Sequence, residues 1–158
     1  MIILGIDPGL ARTGYAILKT DGLKTLNIVY GCLTTETKTP LEKRLEKISR
    51  ELKKIIKKYK PERIGVESLF FGQNTKTALL VSQARGVVCL AAAEEKIPLL
   101  EFTPLQVKQT TTGYGKADKG QMQKMLKAIF NLKAVPTPDD AADALAIAYC
   151  CMQKKSYT

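Results

Sequence analysis

Four carboxylates stand where the sequence could bring them together for metal chemistry. Asp7 closes the apolar run "IILGID" and Glu67 closes "RIGVE", so two strand-like segments each end in an acid. Asp140 and Asp143 lie three residues apart in "TPDDAADALAIAYC", a spacing that puts them on one face of a helix. A charge at the end of a buried strand is costly unless it meets a cation, a hydrogen-bonding nest or a metal.

If these acids converge, they need cations. The chain contains no histidine, so hydrolysis would have to use carboxylates, lysines or a metal-bound hydroxide. Clustered carboxylates raise one another's pKa unless cations neutralise them, and an all-oxygen ligand set suits Mg²⁺ or Mn²⁺. Two ions about 3.5–4 Å apart could activate water and stabilise the leaving oxygen of a phosphodiester. The alternative is that the four residues are helix caps and surface acids that never meet.

The segments that must position these acids follow an α/β plan. The predicted strands span 2–7, 13–19, 25–32, 64–67 and 97–102. The predicted helices span 41–59, 75–95, 104–110, 118–131 and 138–153. We expect one domain, residues 1–158, with a single mixed five-stranded sheet: an antiparallel meander of three strands, then parallel additions, flanked by helices. Asp7 and Glu67 lie at one edge if their strands are parallel neighbours.

The start of the last helix offers a second explanation for its acids. Thr137 fits an N-cap, Pro138 fits the first helical position, and Asp140 then has the spacing of a capping box. Asp139 and Asp140 would complement the helix dipole. Asp143 instead shares a stripe with Ile147 that should face the protein, so its charge needs a partner.

The net charge of the chain indicates what kind of partner it binds. The formal charge is +10, from 25 Lys and Arg against 15 Asp and Glu, which favours nucleic acid; the other interpretation is a basic surface with no dedicated partner. No basic-then-apolar leader precedes Ile2, and no apolar run approaches the roughly 20 residues that cross a bilayer. We therefore expect a cytoplasmic protein without membrane contact.

Five segments, taken in order, resemble the RuvC family of Holliday junction resolvases, which have a ribonuclease H-like fold. The segments are "GIDPGLARTGYAIL", "VESLFFGQN", "SQARGVV", "PLQVKQTTTGYGKADKGQMQ" and "DDAADALAIA". The resemblance covers essentially the whole chain. It implies a Mg²⁺-dependent crossover junction endodeoxyribonuclease, with Mn²⁺ as a substitute. Such an enzyme nicks four-way DNA junctions symmetrically in homologous recombination and DNA repair, leaving 5′-phosphate and 3′-hydroxyl ends.

The resemblance also assigns roles to single residues. The residues that match the family's metal-binding catalytic acids are Asp7, Glu67, Asp140 and Asp143. Some members carry His at one position of the last helix where this chain has Asp, and Asp139 is an additional acid of open role. Lys108 and Lys119 match basic positions near the scissile phosphate, where a lysine either assists catalysis or only anchors phosphate.

Further DNA contacts are expected around these positions. The expected DNA-binding residues are Phe70, Phe71, Lys76, Arg85, Lys108, Lys116, Lys119 and Lys124. Phe70 matches the aromatic residue with which the family probes the junction, and both phenylalanines could stack on unpaired bases or instead be buried.

The symmetry of the substrate predicts a partner subunit. A four-way junction has near-twofold symmetry, which fits a homodimer with one site in each subunit. The apolar helix predicted over 75–95 is the segment best suited to that interface, and core packing is the other explanation for its composition. The resemblance further implies cooperation with a branch-migration motor of the RuvA and RuvB type.

Two other classes share some of these features. Actin-like and sugar-kinase ATPases also open with an apolar strand, an Asp-x-Gly loop and a hairpin, but they need two such halves to enclose nucleotide and 158 residues supply one. A non-catalytic DNA-binding module, or a related nuclease acting on other structured nucleic acid, is the remaining alternative. The presence of all four acids favours catalysis over the non-catalytic module.

Overall fold

All ten predicted elements are present, with ends that differ from prediction by two residues or fewer. The computed structural model describes residues 1–22, 24–68 and 75–154, without the side chains of Thr75 and Lys76. The strands are β1 (Ile2–Asp7), β2 (Arg12–Thr20), β3 (Thr25–Thr34), β4 (Arg63–Glu67) and β5 (Leu99–Phe102). The helices are α1 (Leu41–Tyr59), α2 (Thr75–Glu94), α3 (Pro104–Thr112), α4 (Lys119–Ile129) and α5 (Asp139–Gln153).

The strands form one mixed sheet in the order β3-β2-β1-β4-β5. β1 pairs antiparallel with β2, and β2 with β3, whereas β4 lies parallel to β1 and β5 parallel to β4. The predicted meander with parallel additions is therefore confirmed. Because Ile6 pairs with Val66, Asp7 and Glu67 follow at equivalent positions on the same edge of the sheet.

Helices cover both faces of the sheet, which explains why β1 is an almost unbroken apolar run. On one face Ile3 packs with residues of α3, α4 and α5. On the other, Leu4 and Ile6 pack with Leu52 of α1 and Val88 of α2. β1 therefore lies at the centre of the domain, and the strand that carries Asp7 is packed on both faces up to Ile6.

α5 approaches the sheet closely because three strand residues lack a Cβ atom. A Cβ built on Gly5 would overlap the Ala144 carbonyl, and one built on Gly14 would overlap the Asp140 carbonyl. A Cβ on Gly65 would press into the Cys151 sulfur. Most buried residues of α5 are alanines, so helix and sheet are both small at the contact. This contact determines where the first turns of α5 lie relative to β1.

The predicted start of α5 is wrong by one residue. Pro138, not Thr137, is the N-cap, the helix begins at Asp139, and no side chain caps it. The backbone of Pro138 is extended (φ −68°, ψ 173°), and its carbonyl accepts the amides of Ala141 and Ala142 at 3.0 and 3.1 Å. Since this carbonyl starts the helix, there is no capping box, and the carboxylate of Asp140 is not used as part of one.

α2 has one packed face and one apolar face directed outward. Ala84 and Val88 are buried, whereas Leu79 and Leu90 are 57% and 58% exposed. By length and composition alone, segment 77–94 could cross a membrane, so the expectation that no apolar run is long enough is wrong. The side chain of Arg85, inside that segment, is only 18% exposed and forms an ion pair with Glu101 of β5, so α2 is packed as a helix of this domain.

Replacing Gly14 by Ala should destabilise the protein by about 1–3 kcal/mol, because the new Cβ must displace the Asp140 carbonyl. Urea unfolding measures the effect. Gly86→Ala in α2 is the control: its Cβ would meet nothing within 4 Å, and Ala in a helix is favoured over Gly by about 0.5–1 kcal/mol. Equal effects of the two substitutions would contradict the close contact between helix and sheet.

Candidate active site

The four predicted acids converge at the carboxyl edge of β1 and β4. The pKa of Asp7 is raised to about 8, first by burial and then, in decreasing order, by the charges of Asp143, Glu67 and Asp140, against a lowering by Lys119. All three carboxylates therefore lie within electrostatic range of Asp7. The alternative, that these residues are unconnected caps and surface acids, does not describe this structure.

The pKa values of two more acids of the cluster are also raised, which favours their protonated forms. Burial raises the pKa of Glu67, with Asp143 adding to the shift and Lys108 opposing it. Burial raises the pKa of Asp143 as well, although Lys119 lowers it. The fold therefore holds several carboxyl groups where negative charge is poorly compensated by the protein itself.

Lys119 is held between two acids at the start of α4. Its Nζ lies 3.2 Å from an Asp139 oxygen and 3.4 Å from an Asp143 oxygen, and Gln123 Nε2 donates to the other Asp139 oxygen at 2.8 Å. Burial lowers the pKa of Lys119, but Asp143 and Asp139 more than reverse this, so the pKa is raised overall. The structure thus gives Asp139 a position: it anchors Lys119 beside Asp143.

The local sequence explains why Lys119 is placed so firmly. Asp118 caps α4 by accepting the Gln121 amide at 2.8 Å, and Gln121 in turn accepts the Asp118 amide at 2.9 Å. This reciprocal capping box fixes the first turn of α4. Lys119 is the first residue of that turn, and its backbone position follows from the cap.

One cleft contains the two predicted active-site lysines and two of the acids. It has a volume of about 260 Å³, and its polar lining residues are Glu67, Lys108, Lys119 and Asp143. Lys108 belongs to α3, whose start is fixed by a capping box of Thr103 and Gln106. The two lysines therefore face the same space as the acids, on separate, independently capped helices.

Sequence reasoning missed Arg12. Its Nη1 lies 3.8 Å from an Asp140 oxygen, and its side chain is 62% exposed. The available signal was its position in "GLARTG", directly after the strand that ends in Asp7. A cation at the start of β2 must lie at the same sheet edge as the end of β1, because the two strands are antiparallel neighbours.

The donor set fits hard divalent cations without forming a closed cage. All four converging groups are carboxylates, and at least three have a pKa raised by burial and like charge. Among the residues described, no three His, Cys, Asp or Glu side chains are grouped closely enough to hold a metal ion. Mg²⁺ is usually bound by one or two carboxylates together with water and substrate phosphate, rather than by an all-protein cage. The arrangement is therefore compatible with ions shared between acids and substrate.

The other expected DNA contacts are dispersed. Lys116 and Lys124 are exposed, the first between α3 and α4 and the second on α4. Arg85 is paired with Glu101 at 2.7 Å, so its charge is already engaged. Phe70 and Phe71 lie outside the described residues, as does the side chain of Lys76.

Comparisons with known proteins agree with this geometry. A family model described as "Crossover junction endodeoxyribonuclease RuvC" matches residues 3–151. The protein of that name from Desulforamulus reducens is 53% identical over 156 residues, covering 99% of this chain and 96% of its own. Its counterpart from Alkaliphilus oremlandii is 51% identical over 158 residues, covering 100% and 96%.

Solved structures support the same assignment. Thermus thermophilus RuvC in complex with Holliday junction substrate matches with a TM-score of 0.87 and 33% identity, covering 95% of this chain and 92% of that one. The expected ribonuclease H-like α/β fold is thereby confirmed. Since the family model and relatives of about half-identical sequence extend over nearly the full length, the chain belongs to the RuvC family of crossover junction endodeoxyribonucleases.

Proposed function

We propose that this protein resolves four-way DNA junctions by paired symmetric nicks in recombination and repair. The observation that carries the proposal is the convergence of Asp7, Glu67, Asp140 and Asp143 at one sheet edge in a chain of this family. The related Thermus thermophilus protein, solved with a Holliday junction substrate, supports the choice of DNA. Hydrolysis would leave 5′-phosphate and 3′-hydroxyl ends.

The cofactor that fits this cluster is Mg²⁺, two ions per site, with Mn²⁺ able to substitute. Asp7, Glu67, Asp140 and Asp143 would hold it, and bound ions would supply an activated water and stabilise the leaving oxygen. The raised pKa of Asp7, Glu67 and Asp143 supports this proposal, because a bound cation would stabilise the ionised carboxylates and so offset the burial and like charge that cause each shift. Without a cation these carboxyl groups retain protons at pH values where an exposed acid has lost its own.

Lys119 is proposed as a charge stabiliser at the scissile phosphate. Its raised pKa keeps the ammonium charged at neutral pH and makes it a poor proton donor, so electrostatic stabilisation is favoured over general acid catalysis. Asp139 and Gln123 orient it from outside the acid cluster. Lys108, in the same cleft, would hold a neighbouring phosphate oxygen.

The remaining contacts complete a dimeric enzyme acting on DNA in the cytoplasm. Exposed Lys116 and Lys124 would bind outer phosphates, and Phe70, Phe71 and Lys76 are proposed to contact the opened junction. Arg85 is also proposed to contact DNA, in competition with its ion pair to Glu101. The exposed apolar face of α2, marked by Leu79, Leu80 and Leu90, is proposed as the homodimer interface, and a motor of the RuvA and RuvB type as the partner assembly.

Replacing Asp7 by Asn should abolish nicking while sparing junction binding, because it removes a metal ligand and leaves the basic surface intact. A gel assay compares a labelled four-way junction with linear duplex, with and without Mg²⁺. Wild type should nick only the junction and only with Mg²⁺, and Asp7→Asn should be slower by more than about 100-fold while its Kd stays within about twofold.

Glu46→Gln, which removes an exposed carboxylate from α1, is the control and should nick like wild type. Normal nicking by Asp7→Asn would remove that residue from the mechanism. Junction binding by wild type without any Mg²⁺-dependent nicking would instead support a non-catalytic module, and stabilisation by ATP without nicking would support the nucleotide-binding class.

Metal-free protein should lose stability as pH rises from about 4 to about 8. Folded Asp7 has a pKa of about 8 against an ordinary value of 3.8 for this side chain, so the folded state binds more protons across this window. Its stabilising contribution is complete below pH 3.8 and disappears as pH approaches 8, with a slope of at most about 1.4 kcal/mol per pH unit. Glu67 and Asp143 act in the same direction.

Urea unfolding in EDTA at several pH values measures this slope. Asp7→Asn should show a shallower slope, and Mg²⁺ should stabilise wild type more at pH 8 than at pH 6 and stabilise the variant less. A difference between wild type and Asp7→Asn that does not change with pH would contradict the burial of Asp7 among like charges.

A further inference from the structure

A second cleft lies on the β3 side of the acid cluster. It has a volume of about 560 Å³, and its lining includes Gly9, Arg12, Arg44, Thr77, Lys119 and Asp140. The loop after β1, the first turn of α1 and the start of α2 contribute to its walls. We call this space the arginine cleft, after Arg12 and Arg44.

Arg44 is held in place before any ligand binds. Its Nε donates to Thr35 Oγ1 at 2.8 Å, and that hydroxyl donates to the Leu10 carbonyl at 2.5 Å. Arg44 takes part in none of the ion pairs found among the described residues. A guanidinium anchored through Nε still presents its terminal N–H groups, which bind phosphate as a planar fork.

Arg12 provides a second cation between Arg44 and the acids. Its contact with Asp140 is loose, at 3.8 Å, and its side chain is 62% exposed. An exposed ion pair of this length contributes little to stability. Most donors of Arg12 therefore remain available to an anion in the cleft.

The sheet order places these arginines opposite Lys108. Asp7 and Glu67 end β1 and β4 at the middle of the sheet, Lys108 follows β5 on one side, and Arg44 follows β3 on the other. A polyanionic strand laid along this edge would contact Lys108, cross the acid cluster and then reach Arg12 and Arg44. Cations on both sides of a scissile phosphate fix its position along the strand.

We infer that the arginine cleft binds a backbone phosphate of the cleaved DNA strand, on the side of the scissile phosphate away from Lys108. Arg44 is the fixed fork for this phosphate, and Arg12 contacts the strand closer to the acids. The inference rests on the proposed function, since it assigns a subsite to the same DNA strand.

Junction binding in EDTA tests the cleft without nicking. Arg12→Gln and Arg44→Gln should each weaken binding roughly tenfold, and each should reduce the slope of log K against log salt by about 0.7–0.9. The control is Lys57→Gln, the same loss of charge on α1 about 20 Å away along the helix, which should leave the Kd and slope near wild type. Unchanged binding by both arginine variants overturns the inference.

A chemical change in the DNA identifies the contacted phosphate. Neutral methylphosphonates are placed singly at each position flanking the cleavage point. At the contacted position the substitution should weaken wild type roughly tenfold but cause no further loss in Arg44→Gln, because the two changes remove one interaction. Additive losses at every position would overturn the assignment.

Thr35→Val separates anchoring from charge. It removes the hydroxyl that holds Arg44 Nε but keeps the guanidinium, so binding should fall by roughly threefold, less than in Arg44→Gln. If Arg44→Gln unfolds, Arg12→Gln still decides the question, since Arg12 is exposed. Nicking by wild type in Mg²⁺ is measured separately. If wild type nicks the junction but the arginine variants bind it as tightly as wild type does, the assignment of the cleft is overturned and the proposed function stands. If wild type does not nick the junction, the proposed function is overturned, whatever the arginine variants do to binding.

Discussion

The structure depends on how closely α5 can approach the sheet. That distance is short because the strands have glycines at positions 5, 14 and 65, which have no side chain, and because most buried residues of the helix are alanines. Two of the four acids reside on the sheet and two on the helix, so a helix farther from β1 would separate the pairs. The small residues of the core thus control the geometry of the charged edge.

In the folded protein, the cations of the chain compensate the carboxylates at that edge only in part. Burial and like charge act together on Asp7, and the cations provided by the chain stand at the margin: Lys119 between Asp139 and Asp143, and Arg12 beside Asp140. These cations offset part of the repulsion among the carboxylates, but the pKa values of Asp7, Glu67 and Asp143 remain raised. Mg²⁺ is usually bound by one or two carboxylates together with water and substrate phosphate, and an edge of this kind is compatible with that mode of binding.

The order and type of the elements followed from local sequence signals. Apolar residues at helical spacing over 41–59 predicted α1. The turn residues Pro8-Gly9 and Asp21-Gly22 marked the boundaries between the first three strands. These features act over a few residues, which is why they can be read without the tertiary structure. The parallel pairing of β1 with β4 followed from the intervening crossover helix.

Features that depend on contacts between distant segments were harder to predict. Whether the acids met could not be decided, because the answer lies in the depth of the α5 packing. Arg12 belongs to no recognisable motif. Its position beside Asp140 follows only from the antiparallel pairing of β1 and β2, which brings the start of β2 next to the end of β1. The N-cap was misplaced because Thr137-Pro138 fits a helix start in two registers, and only the carbonyl that accepts the first amides distinguishes them.

The contact of Cys151 with Gly65 makes the thiols of α5 a natural reporter. Burial raises the pKa of Cys150 to about 11 and that of Cys151 to about 12, and thiolate is the reactive form. Alkylating reagents can therefore reach these sulfurs only when the helix lifts from the strands. Labelling kinetics would time that opening directly, without any engineered probe.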